Sequence, residues 1–288
     1  MPYDAETGDL AYCLSQVREF DRGRYLAALF APAATRADLL ALYAFNLEVA
    51  RIRESIREPM MGLIRLQWWR DCLGEIHAGS AVRRHQVAQP LMQAIRARGL
   101  PRAPFDRLIE GREADLDEAP PADLPALRRY AEATGGELSE LALRICAADP
   151  APATLAGARD LGAAWALIGL VRAVPFHARA RRVYLPQALL DEAGVRLGDL
   201  LELRPGPALA GVAARVCGEA RALLAQARQT LPRPPRAALP ALLPALLARR
   251  HLAALRAAGH DPFAPSLQGS APASPWPLFG AWLAGRPW

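Results

Sequence analysis

The sequence predicts one all-α domain. Three observations carry that reading: apolar residues recur at spacings of three and four through an Ala/Leu/Arg-rich chain, alternating strand patterns are missing, and no Gly-rich strand-to-helix turn occurs. With 288 residues and 52% apolar content, the chain is long enough to bury a substantial core.

Thr35 predicts the N-cap of a first helix running through Leu39, Leu42, Tyr43, Phe45, Val49 and Ile52 to Ile56, closed by Pro59. A second helix follows over Met61 to His77, with Leu63, Leu66, Trp69 and Leu73 on one stripe and Gly79 beyond it. Periodicity places further helices near 86–98, 104–116, 123–147, 152–174, 208–230 and 236–258. Ala119-Pro120-Pro121, Pro150 and the Pro-rich stretch 231–235 separate them. Residues 182–186 read as a short extended piece without a pairing partner. The domain spans 1–263, and 264–288 is a Pro/Gly/Trp-rich tail that wraps or hangs free.

Composition excludes several function classes. All 35 basic residues are arginine, so there is no Schiff-base lysine and no P-loop lysine. Four scattered cysteines have neither metal spacing nor a disulfide pattern, which suits a reducing cytoplasm, and the N-terminus shows no targeting pattern. The net charge of +6 comes with no nucleic-acid motif, so nucleic acid is not an expected partner. The segment 236–258, apolar with an Arg249-Arg250 cluster, either lies on a bilayer surface or closes the bundle.

Four stretches carry candidate chemistry. In 42–54, Glu48–Arg51 and Arg51–Glu54 have the spacing of solvated helix pairs, and Asn46 sits among small apolar residues. In 57–71, Trp68 and Trp69 point about 100° apart on a helix, so both bury only if it is central; Gln67 and Arg70 then border the interior. In 108–118, five carboxylates read first as a solvated acidic helix end. The helix 161–174 is apolar almost all round and ends in an arginine loop with His177. Arg172 near its end needs either a structural partner or a bound anion.

Taken together, YAF at 43–45, EPMMGLIRLQWWRD at 58–71, LIEGREADLD at 108–117, RYAEATGGELS at 129–139 and RRVYLP at 181–186 resemble the squalene/phytoene synthase family over roughly residues 12–260. The resemblance implies an isoprenoid-synthase helical bundle around a long apolar tunnel. It also implies head-to-head condensation of two prenyl diphosphates, with magnesium held by two aspartate-rich motifs. At the positions of those motifs this chain has Ala50, Arg51 and Glu54 in the first, and Ala173 and His177 in the second. Magnesium wants hard oxygen ligands, which alanine and arginine do not supply, so no metal and no catalytic residue is expected there.

AFN at 44–46, Arg172-Ala173-Val174-Pro175-Phe176-His177 and RRVYLP are similar to a branch of the family that includes a mitochondrial assembly factor for respiratory complex I. That likeness implies a catalytically degenerate protein with complex I subunits or assembly intermediates as partners, peripheral on the inner face of the cytoplasmic membrane. An alternative keeps a magnesium-dependent prenyltransferase, with Glu54, Glu113 and Asp115 around one ion. A further alternative is an isoprenoid lipid or diphosphate binder without metal. Tyr43, Phe45, Asn46, Arg51, Gln67, Arg172, Arg181, Arg182 and Tyr184 are the candidate binding residues by resemblance. The arginines among them read equally as surface or inter-helix pairs.

Overall fold

Helices α1 (Ala5–Phe20) and α2 (Arg22–Ala28) open the computed structural model, which describes residues 5–56, 58–204, 206–231, 233–268 and 274–288. Asp21 caps α2, its carboxylate accepting the Arg24 backbone N–H at 3.1 Å and pairing with the Arg24 guanidinium at 2.7 Å.

The next two boundaries differ from the sequence expectation. Helix α3 (Ala33–Ala50) starts after Pro32, so Thr35 lies inside it and its hydroxyl instead accepts from Arg98 at 3.2 Å. The helix ends at Ala50, not Ile56; a 3-10 turn over Arg53–Ser55 and an extended Ile56 follow. Pro59 opens α4 (Pro59–His77) rather than closing α3, because a first-turn residue has no intrahelical N–H bond to lose.

Helix α5 (Ala88–Arg98) stops at Gly99, whose φ of 59° is the left-handed conformation that glycine adopts without strain. Helix α6 (Arg102–Glu113) tightens into a 3-10 turn, Ala114–Leu116. The expected single helix over 123–147 is interrupted: α7 (Leu124–Ala131) passes through a π turn, Glu132–Gly136, into α8 (Glu137–Cys146). At that turn Gly135 lies against Gly162 of α9 (Pro152–Arg172), with no room for a Cβ on either residue.

Short helices α10 (Val174–Arg179), α11 (Gln187–Glu192) and α12 (Leu197–Leu201) lead to α13 (Ala208–Thr230), which packs along α9. The apolar stretch after 235 splits into a 3-10 turn, α14 (Leu239–Leu242) and α15 (Pro244–Ala257), with Pro240 and Pro244 in the first turns of the new helices. Helices α16 (Pro265–Gln268) and α17 (Trp276–Leu283) end the chain.

The result is an all-α bundle with no strand among the described residues. Its core is built on fully buried Tyr43, Phe45, Phe105, Leu108 and Ile109, and α9 contributes Leu161, Ala164, Leu167, Ile168 and Val171. Residues 152–172 and 236–257 are long and apolar enough to cross a membrane, but most of each is packed inside the bundle. The tail packs too: Leu278 is fully buried against Leu26, Ala27, Leu243 and Leu247, and the Trp288 indole donates to the Leu231 carbonyl at 3.0 Å.

Candidate functional site

Where α3 ends beside α10, the chain leaves a cavity of about 390 Å³. Ala50, Arg51, Arg53, Glu54 and Ile56 line one wall, and Phe176, His177, Ala180, Arg182 and Tyr184 line another. Arg112, Asp115, Tyr130 and Leu170 complete it.

Asp115 anchors the polar side. It is 4% exposed, and it accepts the Tyr130 hydroxyl at 2.7 Å, the Tyr184 hydroxyl at 2.9 Å and the Arg112 guanidinium at 3.3 Å. Arg112 also donates to the Tyr130 oxygen at 2.7 Å and to Asn46 at 3.5 Å. Arg182 ties the same turn down from outside, donating to the carbonyls of Asp115 (2.6 Å) and Asp117. The reading of 108–118 as a solvated acidic end therefore fails at Asp115, which is drawn inward by a buried guanidinium and two phenols.

Titration follows from these contacts. Burial opposes the Arg112 charge, but Tyr130 and Asp115 beside it hold the guanidinium above the ordinary arginine range. Burial, then the Asp115 carboxylate, pushes the Tyr184 phenol up. His177 goes the other way: burial lowers it to about 4, outweighing the attraction of Asp115, so it is neutral near pH 7.

Four lining residues carry a buried side-chain nitrogen with no protein partner: Arg53 Nε, Arg112 Nε, His177 Nδ1 and Arg182 Nε. Four arginines face two carboxylates around the cavity, and both carboxylates are taken, Asp115 as above and Glu54 by Arg51 at 3.4 Å. The cavity is chemically suited to an anion.

The residues do not fit the magnesium that the resemblance implies. Ala50 offers no donor, His177 is a nitrogen ligand, and the oxygens of Asp115 are already hydrogen-bonded. Glu113, the third carboxylate of the alternative metal site, pairs with Arg70 at 2.5 Å. Among the described residues no three His, Cys, Asp or Glu side chains converge on one point as metal ligands.

Of the residues singled out in the sequence, Ala50, Arg51, Glu54, His177, Arg182 and Tyr184 meet in this cavity. Asn46 reaches it only through Arg112. Tyr43 and Phe45 are core residues; Phe45 packs edge-on against Trp69 and Phe105. Gln67 is exposed and donates to Asp71 at 2.7 Å, so it does not border the interior, because it lies on the outer face of α4. Arg172 is exposed and meets His251 Nε2 at 3.3 Å, not an anion pocket. Ala173, in the turn between α9 and α10, and Arg181, exposed just after α10, are not lining residues either. Arg112 and Tyr130 carry no mark of their role in the sequence, since a buried Arg–Tyr–Asp cluster leaves no periodic signal there.

Deeper between α3 and α9, Arg24 lies 5.7 Å from the Tyr43 ring and 5.6 Å from the Trp165 ring, bridging the two helices.

Comparison with known proteins supplies the kinship. The chain is 33% identical over 263 residues to a Bos taurus protein, NADH dehydrogenase (ubiquinone) complex I, assembly factor 6, covering 91% of this chain and 78% of that one. It is 29% identical over 215 residues to presqualene diphosphate synthase of Rhodopseudomonas palustris, covering 74% and 75%. A crystallised dehydrosqualene synthase superposes with a TM-score of 0.82 at 20% identity, covering 99% of this chain and 98% of that one, a likeness of fold. The squalene/phytoene synthase family model matches residues 17–277. With nearly the whole length accounted for, this chain belongs to the squalene/phytoene synthase family.

Proposed function

We propose that this chain is a non-catalytic member of its family that supports assembly of respiratory complex I, working at the inner face of the cytoplasmic membrane. The observation that carries this reading is the donor set. Where catalysis by the family mechanism needs carboxylates on two facing walls, this cavity has Ala50 and a neutral His177, and its two acids are bound to arginines and tyrosines. A metal supplies several kcal/mol of charge stabilisation in such reactions. The likeness to complex I assembly factor 6 over 91% of the chain supplies the role.

Deleting the gene and assaying NADH:ubiquinone oxidoreductase in isolated membranes tests the proposal. Activity and assembled complex should fall together and return with the wild-type gene; unchanged complex I overturns the reading. A head-to-head product from purified protein, farnesyl diphosphate and magnesium would overturn its non-catalytic half.

A second reading is favoured by the four arginines that line the cavity against two carboxylates already paired: the cavity binds a phosphate or diphosphate group directly through guanidinium, without metal. Titration calorimetry with inorganic pyrophosphate should show binding that survives a chelator.

A further inference from the structure

The C-terminal helix has an outer face that the bundle leaves bare. On α17, Leu278 points inward and is fully buried, while Trp276, Phe279 and Leu283 follow one another at helical spacing on the opposite side. Trp276 is 74% exposed, Phe279 42% and Leu283 54%. The helix WPLFGAWL contains no charged residue. The Phe279 ring stacks on Trp282 at a centroid separation of 6.3 Å, and Phe30 meets Trp282 at a tilt, 6.0 Å away.

Charge in the C-terminal part of the chain is one-sided. Residues 220–288 contain eight arginines (221, 228, 233, 236, 249, 250, 256 and 286) and one acid, Asp261. Arg236 lies 5.3 Å from the Trp282 ring and donates to the Trp282 carbonyl; Arg286 follows the helix directly. Arg249 and Arg250 are exposed on α15, just beyond Leu246 and Leu247, which pack under α17.

From this juxtaposition we infer that the Trp276/Phe279/Leu283 face is a docking surface for an anionic lipid bilayer. Tryptophan and phenylalanine on a short uncharged helix suit the headgroup–acyl boundary, and guanidinium groups at its edges suit lipid phosphates. The two apolar segments long enough to span a bilayer are mostly packed inside the bundle, which leaves a peripheral contact as the mode proposed. The inference rests on the proposed membrane-side role only for its setting and does not depend on the complex I client.

Flotation of the full-length protein with vesicles of phosphatidylcholine, alone or mixed with phosphatidylglycerol, tests it. Binding to the mixed vesicles at low salt is expected, with several-fold weaker binding to phosphatidylcholine alone or at high salt. The double substitution Trp276→Ser, Phe279→Ser should lower that binding by about tenfold. Both side chains are exposed, and an unchanged thermal transition will show that the bundle is intact. Arg249→Glu with Arg250→Glu should reproduce the loss on the charged vesicles only. Absence of binding to the phosphatidylglycerol vesicles, or equal binding by the Trp276/Phe279 variant, overturns the inference. So does a concentration-dependent dimer that the variant abolishes while vesicles are ignored. Because no complex I component is present, failure here leaves the assembly role to be judged by the gene deletion.

Discussion

The Tyr184 hydroxyl donates to Asp115 Oδ1 across 2.9 Å and thereby fastens the segment after α10 to the turn that ends α6. The two residues are 69 apart in the chain and form two walls of one cavity. Asp115 also balances Arg112, whose side chain is 15% exposed. Removing the carboxylate leaves that guanidinium buried without its counter-charge. Asp115→Ala should cost about 3–5 kcal/mol of stability, whereas Tyr184→Phe should cost about 1.5–3 kcal/mol, the range for a hydrogen bond to a charged group. Urea denaturation of the two variants checks the order.

His177 and His251 make stability depend on pH. Burial lowers both to about 4, below the ordinary 6.5, and for His251 the neighbouring Arg172 and Arg250 add to the effect. The unfolded chain therefore takes up protons that the native state refuses as pH falls from 6.5 towards 4. Stability is fully present above that window and declines through it, by at most about 1.4 kcal/mol per pH unit for each histidine. Partial solvent access brings the slope below that ceiling. Replacing His177 by Gln should flatten the fall by one histidine's share, read from urea midpoints across this range.

The sequence carries the bundle far better than the cavity. Apolar spacing marks α9 and α13 almost to the residue, since both are long and packed on several sides. Local chemistry fails where tertiary contacts choose the boundary. Thr35 has a capping side chain but spends it on Arg98, and Pro59 fits equally the end of one helix and the start of the next. The π turn at Glu132–Gly136 packs against α9, a long-range contact that no window of sequence records. At the site, motif likeness finds Ala50, His177 and Tyr184. Asp115 looks like a surface acid beside Glu113, Asp117 and Glu118 until Arg112 and two tyrosines draw it inward.

The donor set predicts indifference to divalent cations. Adding millimolar magnesium, or a chelator, should move the thermal midpoint of the wild-type protein by less than about 1 °C. Ala50→Asp combined with His177→Asp places two carboxylates on facing walls of the same cavity. Only that variant should gain a magnesium-dependent rise, measured by scanning fluorimetry. A comparable rise in the wild type contradicts the assignment of the Asp115 oxygens.

Two glycines on α9 should respond oppositely to the same methyl group. A Cβ at Gly162 would collide with the Gly135 carbonyl oxygen and the Ser139 hydroxyl, both held by the π turn and α8. A Cβ at Gly169 would meet nothing within 4 Å. Both substitutions gain up to about 1 kcal/mol in helix propensity, so the difference between them isolates the close approach. Gly162→Ala should be destabilising by about 1–3 kcal/mol, as for an overpacked core. Gly169→Ala should be neutral or stabilising by up to about 1 kcal/mol. Equal midpoints in urea would mean that α9 and the π turn separate easily, and that their contact does not hold the cavity walls together.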